Sequence, residues 1–195
     1  MFKKTIALIV VAAMISGSAF AAEVFVVDKA HTDIGFSVKH LVISSTKGNF
    51  GDFDGKIMYD AEDVTKSSVE MTIKTASIDT DNEDRDKHLR SGDFFDVEKY
   101  PEITFKSKRI ENRDDGMVAI GDFTMHGVTK EIQLPFTITG VVKDPWGNTK
   151  MGVEAETKID RTDYGLTWSK VLETGGLVVG NEVKIMISAE FGMKE

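Results

Sequence analysis

Histidines and carboxylates are the main candidates for catalytic or metal-binding side chains in this 195-residue sequence, which contains no cysteine. The lack of cysteine rules out thiolate nucleophiles, disulfides and metal sites built on sulfur. The histidines form neither a His-Glu-x-x-His pattern nor a His-x-His pair, which are local signatures of metal ligation. We therefore predict no metal site. The four histidines are His31, His40, His88 and His126.

One acidic run, Asp79-x-Asp81-x-Glu83, resembles the first half of a calcium-binding loop. Such a loop needs glycine at its sixth position and glutamate at its twelfth, where this run has Asp84 and Arg90. The sequence also has no Gly-x-Ser-x-Gly elbow, no Walker loop and no dinucleotide-binding glycine motif. With 32 acidic residues, neighbouring carboxylates are expected by chance. We predict no catalytic residue and no cofactor.

His40 has the most informative position of the four histidines. It shares the parity of Phe36 and Val38 in an alternating run, so it is predicted to point to the apolar side of a strand. One interpretation is a hydrogen-bonded histidine in the core or at its rim. The other is a polar anchor for the head group of a ligand.

A cluster of basic residues lies among acids in a long connection between apolar runs. It contains Arg85, Lys87, His88 and Arg90. The cluster indicates either a salt-bridged surface helix or a basic rim that receives an anionic head group.

The two tryptophans are further candidates for the mouth of a binding site. Trp146 follows Asp144-Pro145, which predicts a turn, and Trp168 follows shortly after Tyr164. An indole ring in either place could cap a barrel or line its mouth.

The elements that must position these residues are strands, because apolar and polar residues alternate over most of the chain. Turn residues separate the runs, at 52–55, 114–116, 126–127, 144–147 and 180–181. The pattern predicts eight strands, at 24–40, 48–60, 67–79, 102–110, 116–125, 130–142, 149–160 and 181–192.

The predicted fold class is all-β, an eight-stranded antiparallel barrel with a short helical insertion. Short turns favour antiparallel neighbours, and an even number of strands lets the first pair with the last and removes exposed edges. Two connections are long, Thr80–Pro101 and Thr162–Gly180. The first contains Asn82–Arg90, which predicts a short surface helix that Gly92 ends. Long loops in compact domains are usually functional or mobile.

Residues 1–21 have the pattern of a cleaved secretory signal peptide. Lys3 and Lys4 precede an apolar run from Ile6 to Ile15, and Ala19-Phe20-Ala21 offers a small-x-small cleavage site. The run is about half the roughly 20 residues of a membrane-spanning helix, so we expect no membrane anchor. The sequence predicts an exported protein whose single domain is residues 22–195.

The charge of the chain disfavours a nucleic-acid partner. Lys and Arg number 24 against 32 Asp and Glu, a net charge of −8. Without Lys3 and Lys4 the net charge is −10. Such a chain repels phosphate backbones and stays soluble.

Motifs along residues 22–195 carry a family resemblance. They are His31-Thr32-x-Ile34-x-Phe36-Ser37-Val38-Lys39-His40 with Gly48-x-Phe50-x-x-Phe53-x-Gly55, Arg85-Asp86-Lys87-His88-Leu89-Arg90-Ser91-x-Asp93-Phe94-Phe95-Asp96-Val97 through Tyr100-Pro101 and Thr104-Phe105, Gly127-Val128-Thr129-Lys130, Asp144-Pro145-Trp146-Gly147 and Arg161-x-Asp163-Tyr164-Gly165-Leu166. In this order they resemble the YceI-like family of exported, lipocalin-like, polyisoprenoid-binding proteins.

The resemblance implies a lipocalin-like barrel whose apolar lumen holds a long-chain amphiphile in the periplasm. It also implies a homodimer, and it supplies no catalytic mechanism. An eight-stranded barrel is at the size where side chains fill the interior or leave room for one small ligand. We therefore expect a binding protein for a polyisoprenoid, a prenyl quinone or a related lipid, with that lipid as its ligand in place of a cofactor.

Candidate ligand-binding residues follow from strand parity, which fixes the residues that share a face but not which face is inward. The predicted lumen residues are Phe36, Val38, Ile73, Ile103, Phe105, Phe123, Leu134 and Phe136. The predicted mouth residues are His40, Arg85, His88, Arg90 and Trp146.

Two other functions remain open at the level of the sequence. One is an enzyme, such as a hydrolase or isomerase acting on an isoprenoid-type amphiphile with His40 or a carboxylate in a dry pocket. The other is a barrel filled by its own side chains that serves as an interaction or stress module.

Overall fold

The computed structural model describes residues 22–171 and 176–194. The predicted signal peptide, residues 1–21, lies outside them. Within the described residues the chain forms one antiparallel sheet of eleven strands and one α-helix. The strands are β1 Glu23–Val27, β2 Asp33–His40, β3 Ser44–Phe50, β4 Phe53–Tyr59, β5 Ser68–Lys74, β6 Ile78–Asp79, β7 Glu102–Arg113, β8 Gly116–Met125, β9 Val128–Lys143, β10 Thr149–Asp160 and β11 Val179–Met193, and the helix is α1 Glu83–Arg90.

The sheet closes into the predicted eight-stranded barrel. β1 pairs with β4 on one side and with β11 on the other, where Phe25 lies opposite Met193 and Val27 opposite Phe191. Three of the predicted strands are each divided in two, as β1 with β2, β3 with β4, and β5 with β6. The eleven strands therefore follow eight courses around the barrel, and closure leaves few exposed edges.

Short breaks divide these three courses. A 3₁₀ turn at Lys29–His31 separates β1 from β2, and the Asp28 carboxylate accepts a hydrogen bond from the Ala30 amide at its start. A second turn, Thr75–Ser77, separates β5 from β6, where the buried Thr75 hydroxyl donates to the Tyr100 carbonyl over 2.7 Å. The Asp28 bond is local and competes with the strand ladder, whereas the Thr75 bond fixes the second break through a residue 25 positions away.

Some predicted boundaries were wrong. The second course begins at Ser44 rather than residue 48, and the predicted turn at 52–55 is a break at 51–52 followed directly by β4. Gly180-Asn181 belongs to β11, where the register with β2 shifts between Val179 and Val183. The reason is that Gly, Asn and Asp are used at irregularities within strands as well as at turns.

The predicted helical insertion is present as α1. The Asn82 side chain accepts a hydrogen bond from the Arg85 amide over 2.9 Å, and Ser91 caps the other end. Acidic residues occupy the first turn and basic residues the last, which stabilises the helix dipole at both ends. The helix ends at Arg90, as predicted, with Ser91 as its cap before Gly92. No helix in the described part of the chain is long and apolar enough to span a membrane.

The barrel has two different ends because successive courses run in opposite directions. The connections 60–67, 114–115 and 144–148 lie at one end, which we call the turn end. The hairpin 41–43, the turn 126–127 and the two long connections lie at the other, which we call the helix end because it carries α1.

Candidate functional site

A cavity lies inside the barrel and is the strongest candidate for a functional site. Its volume is about 210 Å³, and side chains from β2 to β5 and from β7 to β11 line it. Leu89 of α1 and the following Phe94 and Phe95 extend its wall at the helix end. The cavity thus runs between the strands and the helical insertion.

Strand β9 shows why the interior is hollow. Its even-numbered residues Ile132, Leu134, Phe136 and Ile138 line the cavity, whereas the odd-numbered residues between them are exposed outside. The inward side chains are only half-buried. An inward residue that keeps accessible surface borders open space, because a filled core would bury it completely.

The wall of the cavity is almost entirely hydrocarbon. Hydroxyl-bearing side chains in it are Tyr59, Ser67, Thr104 and Thr157, and Arg161 is the charged residue among the described wall residues. An apolar cavity of this kind favours a hydrocarbon ligand over water, since water needs two to four polar partners.

The structure brings all eight predicted lumen residues to the cavity wall. They come from β2, β5, β7, β8 and β9. Sequence parity left the inward face undecided, and closure of the barrel decides it. Direct contact of these residues with a ligand stays a prediction.

The prediction omitted several parts of the wall, including the inward residues of β3 and β4. β10 and β11 contribute inward residues, among them Val153, Ala155 and Ile185. Their alternation was visible in the sequence and could have placed them. Phe94 and Phe95 lie outside any strand, and their signals were an aromatic pair shortly after the predicted helix and its place in a family motif.

The five predicted mouth residues do not come together in one place, which corrects the expectation of a shared mouth. Trp146 lies at the turn end and is 84 % exposed, on a turn where Asp144 accepts hydrogen bonds from the amides of Trp146 and Asn148. His40 lies at the opposite end, where β2 pairs with β11 at Val179. Trp146 and His40 are far apart because the strands alternate in direction, which places the 144–148 connection at the turn end and the end of β2 at the helix end.

Two of the predicted mouth residues on α1 donate hydrogen bonds to groups of the protein rather than pointing into open space. Arg85 donates to the hydroxyl and carbonyl of Thr80, and Arg90 donates to the carbonyls of Ala76 and Ile78. These bonds fasten the helix to the strand that precedes it.

His88 also has partners within the protein. It lies 2.8 Å from an Asp93 carboxylate oxygen, and its ring packs edge-on against Phe94 and Trp168. Trp168 therefore packs against α1 at the helix end of the barrel. A ligand contact for any of the five mouth residues stays a prediction.

Arg161 is the polar residue of the cavity wall that the sequence analysis missed. Its guanidinium is 4 % exposed and donates to four main-chain carbonyls, those of Gly180, Leu166, Trp168 and Val179, over 2.5–3.1 Å. Burial lowers the pKa of Arg161 from its ordinary value. These bonds tie the connection after β10 to the start of β11, and their signal was the Arg161-x-Asp163-Tyr164 motif.

Asp28, His31 and Glu190 form the one group in the described residues whose ligand atoms lie close enough for a metal ion. The Lys150 ammonium already lies among them, 2.9 Å from Asp28 and 3.0 Å from Glu190. Its hydrogen bond lowers the pKa of Asp28 to about 2. The group is an ion-pair network that joins the first course to β10 and β11.

Comparisons with known proteins agree with this architecture. The model of the YceI-like domain family matches residues 25–191. A UPF0312 protein of Staphylococcus aureus is 39 % identical over 173 residues, which are 88 % of this chain and 98 % of that protein. A UPF0312 protein of Serratia proteamaculans is 41 % identical over 171 residues, which are 86 % of this chain and 88 % of that protein.

Solved structures extend the likeness to three dimensions. The YceI protein of Campylobacter jejuni is 39 % identical with a TM-score of 0.69, covering 86 % of this chain and 96 % of that one. A polyisoprenoid-binding domain from Saccharophagus degradans shares the fold with a TM-score of 0.60 at 15 % identity, covering 89 % of this chain and 99 % of that one. With a closed barrel, a cavity in its centre and a family match across nearly all the described residues, this chain belongs to the YceI-like domain family.

Proposed function

We propose that this protein binds a long-chain amphiphile, such as a polyisoprenoid, a prenyl quinone or a related lipid, in the barrel cavity. The lipid is carried or sequestered in the periplasm and leaves chemically unchanged. The hollow, apolar interior is the observation that carries the proposal.

The free energy of binding comes from removing the lipid tail from water. Each buried methylene contributes about 0.8 kcal/mol, so a tail of roughly 20 carbons offsets the ~4 to 15 kcal/mol lost on association. Hydrocarbon walls recognise the length and bulk of a tail, and several related lipids are expected to bind.

The size of the cavity sets a condition on binding. The volume of about 210 Å³ exceeds that of a dry cavity of ~150 Å³ that admits benzene, but lies below the ~300 Å³ at which drug-sized sites begin. A long tail therefore needs wall side chains to change rotamer. Met71 and Met151 on the wall are unbranched and suited to such changes.

The comparisons support a binding role. The Saccharophagus degradans domain, which has the same fold, is a polyisoprenoid-binding domain. The pattern of residues 1–21 supports export. The homodimer implied by the family resemblance stays a prediction.

Leu134→Trp tests the proposal by filling the cavity. Protein purified from the periplasm is extracted with organic solvent and analysed by mass spectrometry for a co-purified lipid, and it is then titrated with menaquinone. We expect the unsubstituted protein to take up menaquinone and Leu134→Trp to lose at least tenfold in affinity, because the indole occupies the space of the tail.

Gln133→Trp is the matched control, since Gln133 neighbours Leu134 on β9 but points outward. Equal uptake by both variants would contradict binding in the cavity. Protein that is free of lipid and takes up no menaquinone would favour the interaction module. Recovery of a chemically altered menaquinone, abolished by His40→Ala with binding retained, would favour the enzyme.

A further inference from the structure

Four aliphatic side chains are clustered at the surface of the helix end, and we call them the apolar tip. They are Leu41, Val42, Ile43 and Val171. Val42 is 66 % exposed, Ile43 85 % and Val171 73 %, and Leu41 is half-buried. Aliphatic residues this exposed and this close together mark an interaction site more often than scattered ones do.

Hydrogen bonds hold the two halves of the tip side by side. The Leu41 amide donates to the Val178 carbonyl over 2.9 Å, and the Val178 amide donates to the Lys170 carbonyl over 2.9 Å. Val171 pairs with Leu177 in an isolated bridge. The tip thus combines the β2–β3 hairpin with the segment before β11.

The hairpin extends beyond the adjoining part of the sheet. β3 pairs with β6 only at Asn49 and Phe50, so that residues 44–48 have β2 as their one strand neighbour. At the point of the hairpin, Leu41 and Val42 have φ angles of 52° and 66°. A β-branched residue such as Val42 rarely adopts this left-handed conformation, which costs energy to maintain.

The surroundings of the tip differ in charge from the rest of the protein. The described stretches 34–50, 164–171 and 176–181 contain no Asp or Glu, but they contain Lys39, Lys47 and Lys170. Residues 172–175 separate the second and third stretches, and Glu173 among them lies outside the described residues. On a chain with a net charge of −8, this is a local basic region.

Two of the acids that flank these stretches are neutralised by ion pairs. Asp163 lies 2.8 Å from the Lys130 ammonium, and Glu182 lies 2.9 Å from that of Lys158. These two acids therefore do not cancel the basic character of the tip region.

We propose that the apolar tip docks on the surface of an anionic phospholipid bilayer. Val42, Ile43 and Val171 enter the boundary between head groups and acyl chains, while the three lysines contact the lipid phosphates. A second copy of the chain is a poorer occupant, because four aliphatic side chains offer much less than the ~800 Å² that each partner of a stable complex buries.

Docking places one end of the cavity against the membrane. His40, next to Leu41, pairs with Val179, and both Val179 and Val38 line the cavity. A lipid tail can then pass between bilayer and barrel with little exposure to water. This consequence rests on the proposed function, whereas docking itself does not.

The opposite end provides a matched control. Val142 is 62 % exposed at the turn end, but Asp60, Asp115 and Asp144 lie in the connections there. Asp144 lies two residues from Val142, whereas no acid lies within eight residues of Ile43 in the sequence. Ile43→Asp and Val142→Asp therefore make the same change in charge, and a similar change in hydrophobicity, at two sites with different surroundings.

Sedimentation with empty vesicles tests docking. The purified protein and both variants are mixed with vesicles of phosphatidylcholine alone or with added phosphatidylglycerol. We expect binding only with phosphatidylglycerol, a loss of at least tenfold for Ile43→Asp, and no change for Val142→Asp. The charge reversal Lys39→Glu with Lys47→Glu should weaken binding at least as strongly, and salt should weaken binding of the unsubstituted protein.

A single cysteine in this cysteine-free chain reports which end inserts. Ile43→Cys labelled with an environment-sensitive dye should shift its emission to the blue with the anionic vesicles, and labelled Val142→Cys should not. Absence of vesicle binding, or binding lost in Val142→Asp instead, would overturn the proposal. A dimer that Ile43→Asp converts to a monomer, without vesicle binding, would assign the tip to a second copy.

Uptake of menaquinone from detergent micelles separates docking from the proposed function. We expect Ile43→Asp to keep uptake from micelles, because its cavity is unchanged, and to lose uptake from anionic vesicles. Docking without uptake from either source would refute the proposed function and leave the docking proposal standing.

Discussion

At the scale of single residues, Arg161 shows how a charged side chain can be buried without a carboxylate partner. Its donors are directed at carbonyls of two chain segments, those of Leu166 and Trp168 in the connection after β10 and those of Val179 and Gly180 at the start of β11. Buried carbonyls need donors, and one guanidinium supplies them in a fixed planar geometry.

Arg161→Leu is therefore expected to destabilise the protein by roughly 3 to 5 kcal/mol, because it leaves buried carbonyls without donors. The measurement is the free energy of unfolding in urea. Arg109→Leu is the control, since Arg109 is half exposed in its ion pair with Glu111 and should contribute less than about 1 kcal/mol. Equal losses in the two variants would show that the carbonyl bonds of Arg161 contribute little.

At the scale of elements, the pairing of β7 with β8 depends on one glycine. A Cβ atom at Gly121 would overlap the Lys106 carbonyl oxygen and lie 2.7 Å from the Cα of Ser107. The register of the two strands shifts between Ser107 and Arg109, next to this close approach. A bulge brings the backbones together here, and only glycine leaves room for it.

Gly121→Ala is expected to cost about 1 to 3 kcal/mol of unfolding free energy, because backbone atoms must shift to admit the methyl group. Gly140→Ala is the control, since a Cβ at Gly140 meets nothing within 4 Å and its φ is not positive. It should be neutral or stabilising by up to about 1 kcal/mol. A Gly121→Ala protein that unfolds at the same urea concentration as the parent would argue against a close approach of the strands.

At the scale of the whole molecule, the cavity couples binding to stability. A lipid that occupies the cavity binds the folded barrel and not the unfolded chain, so it shifts the unfolding equilibrium toward the folded state. The empty volume also leaves wall side chains without packing partners, which a tail would supply.

Menaquinone is therefore expected to raise the Tm of the protein in scanning calorimetry. At a free concentration about 100 times its Kd, the stabilisation is ~2.7 kcal/mol. Gln133→Trp should show the same rise and Leu134→Trp little of it. A Tm that does not change with menaquinone concentration would speak against a ligand in the cavity.

Much of the fold could be predicted from local sequence patterns. Alternation at Ile132, Leu134 and Phe136 specifies a strand with one apolar face, and Asn82 with the charges after it specifies the start of α1. The breaks at Lys29–His31 and Thr75–Ser77 were missed. The first has a local signal, because the Asp28 side chain bonds the Ala30 amide two residues on, whereas the second depends on the Tyr100 carbonyl 25 residues away.

The sequence by itself determined that the chain is built from antiparallel strands, which residues share a face, and that it resembles the YceI-like family. Tertiary structure alone decided which face points inward, that the interior is hollow, that Arg161 is buried, and that Trp146 and His40 lie at opposite ends. The physical reason is that strand periodicity is a property of neighbouring residues, whereas enclosed volume, burial and the meeting of distant loops arise only when the last strand pairs with the first.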